Sequence, residues 1–530
     1  MFNYNAHHGA KPQYKVALYF ASVYRSLGFL TILCTSATFA QVPGTIERMA
    51  KVPNGGPPDD YVAQPHLSYD GRYVMFSSRA TDILPGLPPP GTYGNDRNYL
   101  QWYLFDRQTR TTERITQNAQ GIPQQGPIFT GAQGDQGTRS IDISLDGRYV
   151  VYDSEATNLV LNDTNNVADV FLFDRITKRT TLISLPGDAP LNRSIGQKPI
   201  FVSHEFATSV VYGFGFGVIS GGRYRIIDLD GLSLGIVAPD VERGELISKI
   251  AKNVKLVVRG QYNLENSDFS NIVRLDLNSK ESISVAFNLS GDPVLITSIA
   301  KISDDGKTVV YMSNQPNITN APYNLIPQIY AWREETGRIQ LVSKSNNGFP
   351  SIGLLKDVYF DVSSDGRYVV WSARDVNLGG IEPFPREGNT VAFYISDLHT
   401  GQTRYAANDL DGRFGGEFGI CETIGTAQNF NDFFLSPITR NPNCATISGN
   451  GRVLAFSSLH HRWTISDLPY QNLPNPLVTN PRSLDVFIKD MGAVGPISPS
   501  ATQVPSNLPW ALGLLGFGLI GLGLLAIRRS

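Results

Sequence analysis

A short turn, Ser-x-Asp-Gly, recurs along this 530-residue chain, and each copy leads into a run of strand-forming residues. The unit is complete in residues 141–184, IDISLDGRYVVYDSEATNLVLNDTNNVADVFLFDRITKRTTLIS. Gly147 takes a positive φ without a Cβ clash, and the Asp146 carboxylate bonds back to the backbone, so the chain reverses there. Arg148–Asp153, Val170–Asp174 and Thr180–Ser184 are short, β-branched or aromatic, and bounded by turn formers. Four strands this short cannot shield their own faces. The unit must stack on copies of itself.

The copies are in the chain. LSYDGRYVMF (Leu67–Phe76) is followed by WYLFDR and Thr112–Thr116; ISDDGKTVVY (Ile302–Tyr311) by QIYAWR and Arg338–Ser343. VSSDGRYVVW (Val362–Trp371) leads to Ala392–Asp397 and Gln402–Tyr405, and ISGNGRVLAF (Ile447–Phe456) to DVFIKD. A worn copy, Lys249–Val258, precedes Asn271–Asp276 and Ser282–Val285.

These residues resemble the repeats of the WD40-like, TolB-type β-propeller proteins. In those repeats Ser-x-Asp-Gly and a basic residue join the first two strands, and the third ends in Asp. The resemblance spans Tyr61 to Asp490 and implies an all-β fold, a single propeller of four-stranded blades around a central channel. It also implies a secreted or periplasmic scaffold, and no particular ligand or reaction. Closing a ring removes most free sheet edges, the physical reason for such a fold. Two blade counts stay open. Ser220–Tyr224 echoes the turn with one residue missing; if its surroundings form a blade there are seven, and otherwise six with a large insertion. The last blade has no fourth strand after Asp490, so a strand at 46–51 is expected to cross over and complete it within a 41–490 domain.

Charged residues make up 17% of the chain and the net charge is −2, which excludes a polybasic, phosphate-neutralising surface, so no nucleic-acid partner is expected. Residues 1–40 read as a signal peptide, with Lys11, Lys15 and Arg25 at its start, an apolar run at Leu27–Cys34 and small residues at Ala37–Ala40. An uncleaved anchor is the alternative. Residues 491–507 read as a spacer. Residues 508–527, LPWALGLLGFGLIGLGLLAI, carry no charge and read as a transmembrane helix. At about 1.5 Å per residue they span about 30 Å, the hydrocarbon thickness. Arg528 and Arg529 supply the basic terminus, 528–530, on the cytoplasmic side. With Val504-Pro505 and Pro509-Trp510 ahead of it, this tail resembles bacterial C-terminal protein-sorting signals. That likeness implies a sorting protease as partner and a Gram-negative host. The expected location is the inner membrane, facing the periplasm, or the cell surface after sorting.

Candidate chemistry is sparse. Asp70, Asp146, Asp305 and Asp365 occupy the same turn, and repetition points to a structural role rather than an asymmetric acid pair. Asn162, Asp163, Asn165 and Asp169 offer oxygen ligands for calcium, but without EF-hand spacing; an Asx-rich loop is the alternative. Once Cys34 is removed, Cys421 and Cys444 remain inside one insertion, and an exported chain would join them in a disulfide worth about 3 kcal/mol. Two unpaired thiols are the alternative. No Gly-x-Ser-x-Gly elbow, zinc-binding His-Glu-x-x-His or P-loop is present, and no cofactor is expected beyond that calcium.

The reading that follows is a non-catalytic envelope scaffold presenting loops to a protein or glycan. An envelope lyase or glycoside hydrolase with carboxylates converging at the channel mouth is a second reading. A calcium-dependent structural or adhesion protein is a third.

Overall fold

The structure is a computed structural model. It describes residues 46–49, 58–59, 62–84, 100–125, 141–164, 169–185, 200–204, 207–214, 223–229, 233–237, 245–250, 256–262, 269–276, 279–297, 300–353, 359–373, 392–406, 445–458 and 485–491. The chain divides into two units, Met1–Gly492 and Ala493–Ser530. The second lies outside the described residues, as do the expected leader, spacer, transmembrane helix and basic terminus. Among the described residues no helix is long and apolar enough to cross a membrane.

Seven four-stranded antiparallel sheets are found among the described residues. Strand β1 (Ile46–Arg48) comes first in the chain. Blade 1 is then β2 (Val62–Leu67), β3 (Tyr73–Ser78), β4 (Gln101–Asp106) and β5 (Thr111–Arg114). Blade 2 is β6 (Ile141–Ile143), β7 (Tyr149–Ser154), β8 (Asp169–Asp174) and β9 (Arg179–Leu182). Blade 3 is β10 (Ile200–His204), β11 (Ala207–Phe214), β12 (Arg223–Asp228) and β13 (Ser233–Val237). Blade 4 is β14 (Glu245–Ile250), β15 (Leu256–Tyr262), β16 (Phe269–Asp276) and β17 (Ser282–Ser284). Blade 5 is β18 (Lys301–Ile302), β19 (Thr308–Ser313), β20 (Gln328–Arg333) and β21 (Arg338–Leu341). Blade 6 is β22 (Phe360–Val362), β23 (Tyr368–Ala373), β24 (Ala392–Asp397) and β25 (Gln402–Tyr405). Blade 7 takes β26 (Ala445–Ile447), β27 (Val453–Ser458) and β28 (Asp485–Asp490) from one end of the domain. Its fourth strand is β1, with Ile46 opposite Lys489 and Arg48 opposite Phe487.

The two open counts are thereby decided: the stretch between blades 2 and 4 is a blade, and the described sheets number seven. Its signature was misplaced, however. Ser220–Tyr224 does not join the first two strands. It runs from the connection after β11 into the first residues of β12, while β10 pairs with β11 up to His204 opposite Ala207.

First strands of neighbouring blades lie against each other from blade 2 to 3, from 4 through 5 and 6 to 7, and from 7 back to 1. They line the centre of a β-propeller. Each apolar cluster is shared between two blades. Tyr73, Met75, Trp102 and Leu104 of blade 1 pack on Ile143, Tyr152 and Phe171 of blade 2. Phe76, Tyr103 and Phe105, on the other face of blade 1, pack on Val453, Ala455 and Ile488 of blade 7. Blades 5 and 6 share Val310, Ile329, Trp371 and Tyr394 in the same way. Alternation along each strand sends successive side chains to opposite neighbours, so sheets such as those of blades 1 and 5 are buried on both faces.

A cross-strand aromatic pair recurs between second and third strands. Phe76–Tyr103, Tyr152–Phe171, Tyr311–Tyr330, Trp371–Tyr394 and Phe456–Phe487 are direct register partners, with ring centroids 4.7–6.0 Å apart. Such pairs add about 0.5–1.5 kcal/mol beyond their burial.

Candidate functional site

Antiparallel order puts the first-to-second and third-to-fourth connections at one end of every blade and the other connections at the opposite end. The two ends differ sharply. No connection at the first end exceeds five residues, whereas every one at the second has six or more and the longest runs from 406 to 444. The ends are called here the turn end and the loop end.

At the turn end five connections share one geometry. In blade 2, Ser144 Oγ donates to Asp146 Oδ1 (2.6 Å), Arg148 N donates to the same oxygen (3.1 Å), and Tyr149 N donates to Ser144 Oγ (2.9 Å). Asp70, Asp305 and Asp365 accept the same pair of bonds from Ser68 and Arg72, Ser303 and Lys307, and Ser363 and Arg367. In blade 7 Asn450 takes the place of the aspartate, with bonds from Ser448 Oγ (2.7 Å) and Arg452 N (3.0 Å). A neutral amide serves as well, so the oxygen matters here and not the charge.

In blades 1, 2 and 6 the arginine after the turn reaches the aspartate that ends the third strand. Arg72, Arg148 and Arg367 each grip Asp106, Asp174 and Asp397 with Nε and Nη2, at 2.8–3.2 Å. The Arg148 bonds hold the Asp174 carboxyl down at about 2. The turns also bond to one another around the ring: Asp305 N to Ser364 O (3.3 Å), Ser364 N to Gly449 O (3.1 Å) and Asn450 N to Tyr69 O (3.1 Å). At these described turns the polar groups are spent largely on each other.

The loop end carries its own repeat, which the sequence reading missed: Asn or Ser, two residues, Gly, one residue, Pro. It stands at Asn118–Pro123, Asn288–Pro293 and Ser345–Pro350, each following a fourth strand. Asn118 Oδ1 accepts from Gln120 N and Ile122 N (both 3.0 Å), and Asn288 Oδ1 accepts from Ser290 N and Asp292 N (both 2.9 Å). The residue before proline is thrown outward: Phe349 is 63% exposed and Ile122 44%. Leu161, Leu289, Tyr323, Leu325 and Ile352 are also exposed on loop-end connections. Asn158 fastens two of these connections together. Its Nδ2 donates to Pro123 O (2.9 Å) and its Oδ1 accepts from Gln125 N (2.7 Å).

Asp59 and Asp82 form a carboxylate pair at this end. Asp59 accepts from Thr81 N (2.8 Å) and from Thr81 Oγ1, while Asp82 accepts from Asp59 N (3.0 Å). Burial, and then the neighbouring Asp59, raises the Asp82 carboxyl above its ordinary value. Backbone amides occupy both groups, so the pair staples the link between β1 and β2 to the start of the blade 1 loop. It is a tether, not a free acid and base.

Of the oxygen-rich cluster, Asn162 is exposed, Asp163 is buried, and Asn165 lies outside the described residues. Asp169 opens β8, where its Oδ1 accepts from Ser184 Oγ (2.6 Å), which accepts in turn from Val170 N (3.0 Å). The same relay joins Gln101, Thr116 and Trp102 N, and again Gln328, Ser343 and Ile329 N. Asp169 therefore fills a position that glutamine fills in two other blades. Among the described residues no group of three or more His, Cys, Asp or Glu could hold a metal ion. Cys421 and Cys444 lie outside the described residues.

No protein-family model and no curated protein sequence matches the chain. Among solved structures it is similar to an oligogalacturonate lyase in complex with manganese, at 11% identity and a TM-score of 0.44, over 85% of this chain and 97% of that one. It is also similar to the β-propeller domain of the Trilobed protease from Pyrococcus furiosus, at 11% identity and a TM-score of 0.42, over 82% and 96%. A third likeness is to TolB from Acinetobacter baumannii, at 13% identity and a TM-score of 0.28, over 68% and 65%. The fold assignment rests on the strand order and closure described above.

Proposed function

We propose that this chain is a non-catalytic β-propeller scaffold of the cell envelope, whose loop end binds a protein or a glycan. One observation carries the reading: every connection of six residues or more is at one end of the blades, while at the other the connections are short and the turns of blades 5, 6, 7 and 1 bond to each other. Long connections on a rigid β scaffold are free to vary without disturbing the core, and so become recognition surface. Exposed Phe349, Leu325 and Ile352, beside amides and hydroxyls, give that surface the mixed apolar and polar character of a binding face. The proposed address follows from the two ends of the sequence. Residues 1–40 direct export. Residues 508–527 with Arg528 and Arg529 hold the ring at the inner membrane, facing the periplasm, or present it to a sorting protease.

The test is to replace 406–444 and 459–484 with short Gly-Asn turns and screen parent and variant full-length proteins against an array of envelope glycans and proteins. Loss of a specific ligand at unchanged melting temperature supports the reading. Retention of full binding by the shortened protein, or no ligand for the parent, removes it.

A further inference from the structure

Strand β21 is the last of its sheet in blade 5, and a groove of about 440 Å³ runs along it. Ile339, Gln340 and Leu341 form its wall. Thr319 and Ala321, from the connection between β19 and β20, line it on one side, and Lys344 and Gly348, which follow β21, line it further along. Val342 N donates to Ile329 O (2.8 Å), and Leu341 stands opposite Tyr330. Directly bonded pairs alternate along an antiparallel ladder, so Gln340 and Val342 turn N–H and C=O toward β20 while Ile339 and Leu341 turn theirs away from it. The wall of the groove is therefore a strand edge with two donors and two acceptors directed outward.

The side chains along that edge alternate in character. Ile339 and Leu341 join the apolar cluster shared with Ile272 and Val285 of blade 4, and Ala321 packs on the same cluster. Gln340 points the other way, toward blade 6, where a Cβ built on Gly401 would lie 3.9 Å from its Nε2 and 3.6 Å from Lys344 Nζ. Arg338 shares the Gln340 face by alternation and is exposed. Arg333, which also lines the groove, is held by Glu335 Oε2 (2.6 Å) and Leu398 O (3.2 Å). The described lining residues thus include three bases and no acid, in a chain whose net charge is −2.

We propose that blade 5 accepts a short extended peptide as a fifth strand on β21, and that it reads an apolar–acidic–apolar pattern. The two apolar residues bond to Ile339 and Leu341 through their backbones and lay their side chains on the Ile339 and Ala321 face. The acidic residue between them stands opposite Gln340 and meets Arg338 and Lys344. The same bases repel a second copy of β21, so the edge selects an acidic strand over self-association. An acidic oligosaccharide would meet the bases and leave the ladder groups unused. The groove follows an outer strand, so its test is separate from that of the loop-end reading.

Purified full-length protein in detergent is titrated with fluorescein-labelled Val-Glu-Val-Glu-Val amide and followed by anisotropy, with hydrogen exchange read across residues 338–342. The expected result is saturable binding, with slower exchange at Ile339 and Leu341 in the bound state. Arg338→Glu combined with Lys344→Glu should keep the parent melting temperature and weaken binding at least tenfold. The peptide N-methylated at its valines, which lacks the donors that face β21, should not bind. Absence of binding by the parent peptide, or binding unchanged by N-methylation or by the double substitution, overturns the proposal. So does displacement of the peptide by a uronic-acid trisaccharide at lower concentration than the unlabelled peptide requires, which reassigns the groove to an acidic glycan.

Discussion

A Cβ built on Gly147 would fall 2.2 Å from Cε2 of Tyr73 in the preceding blade. The turn glycine of one blade is thus the seat for the first residue of its neighbour's second strand. Gly71 meets Val453, Gly366 meets Thr308 and Gly451 meets Tyr368 in the same way. Gly147 also has φ +71°, so it satisfies two demands at once.

Gly147→Ala should therefore cost more than an ordinary turn glycine. The left-handed backbone costs roughly 1–2 kcal/mol and the overlap with Tyr73 roughly 1–3 more. Gly121 has φ +75° but nothing within 4 Å of a Cβ, so Gly121→Ala should show only the backbone cost. Urea melts of the two variants separate the contributions; equal losses would show that the inter-blade seat contributes nothing.

Asp174 titrates below the ordinary carboxylate range because Arg148 bonds it. A depressed native pKa contributes stability that is present above about pH 4 and is lost as pH falls toward 2. Asp174→Asn should flatten the acid limb of a stability–pH curve between those values and lower stability at neutral pH by the same amount, a modest one because Arg148 is partly exposed to solvent. An unaltered acid limb would show that the Arg148 grip does not hold in solution.

Lys489 gives the opposite slope. Its native pKa lies below the unfolded value, so the unfolded chain binds more protons between about pH 8 and 10, and stability should rise with pH in that window. Lys489→Met should remove the rise and add on the order of 2 kcal/mol at pH 7. Melting temperatures from pH 7 to 10 in a buffer free of polyvalent anions provide the check.

The Ser184 relay predicts a contrast within blade 2. Ser184→Ala strands Asp169 Oδ1 and Val170 N together and should cost about 1–3 kcal/mol. Asp169→Gln imitates Gln101 and Gln328 and should cost under about 1 kcal/mol. Calcium sets the alternative. If added calcium raises the melting temperature of the parent and not of Asp169→Gln, the carboxylate is a ligand and the relay is secondary.

The all-β architecture was legible because the chain repeats its most demanding element. A turn needing positive φ, an Oδ acceptor and no Cβ leaves few residues to choose from, and Ser-x-Asx-Gly stands out at five of the seven blades. Blade 3 escaped because β10 reverses into β11 through two residues, with no Asp-Gly, and Gly221-Gly222 falsely echoed the signature one connection later. At the loop end the Asn118–Pro123 repeat was overlooked, although its spacing at 118, 288 and 345 was there to be counted. Asp59 with Asp82 was illegible for a different reason. The two lie in separate loop-end connections, one before β2 and one after β3, and neither separation along the chain nor residue type marks their meeting.

The pairing of Ile46 with Lys489 joins positions 443 residues apart, and it has a kinetic consequence. The segment that emerges early from the ribosome is the last to be used, because its docking edge on β28 is not synthesised until nearly the whole ring has been made. Contact across so long an intervening chain makes final assembly slow and all-or-none. A polypeptide interrupted before Asp485 retains a stranded amino-terminal ribbon and an unfinished seventh sheet, both presenting unsatisfied edges. Completeness of translation is thus inspected by the architecture itself.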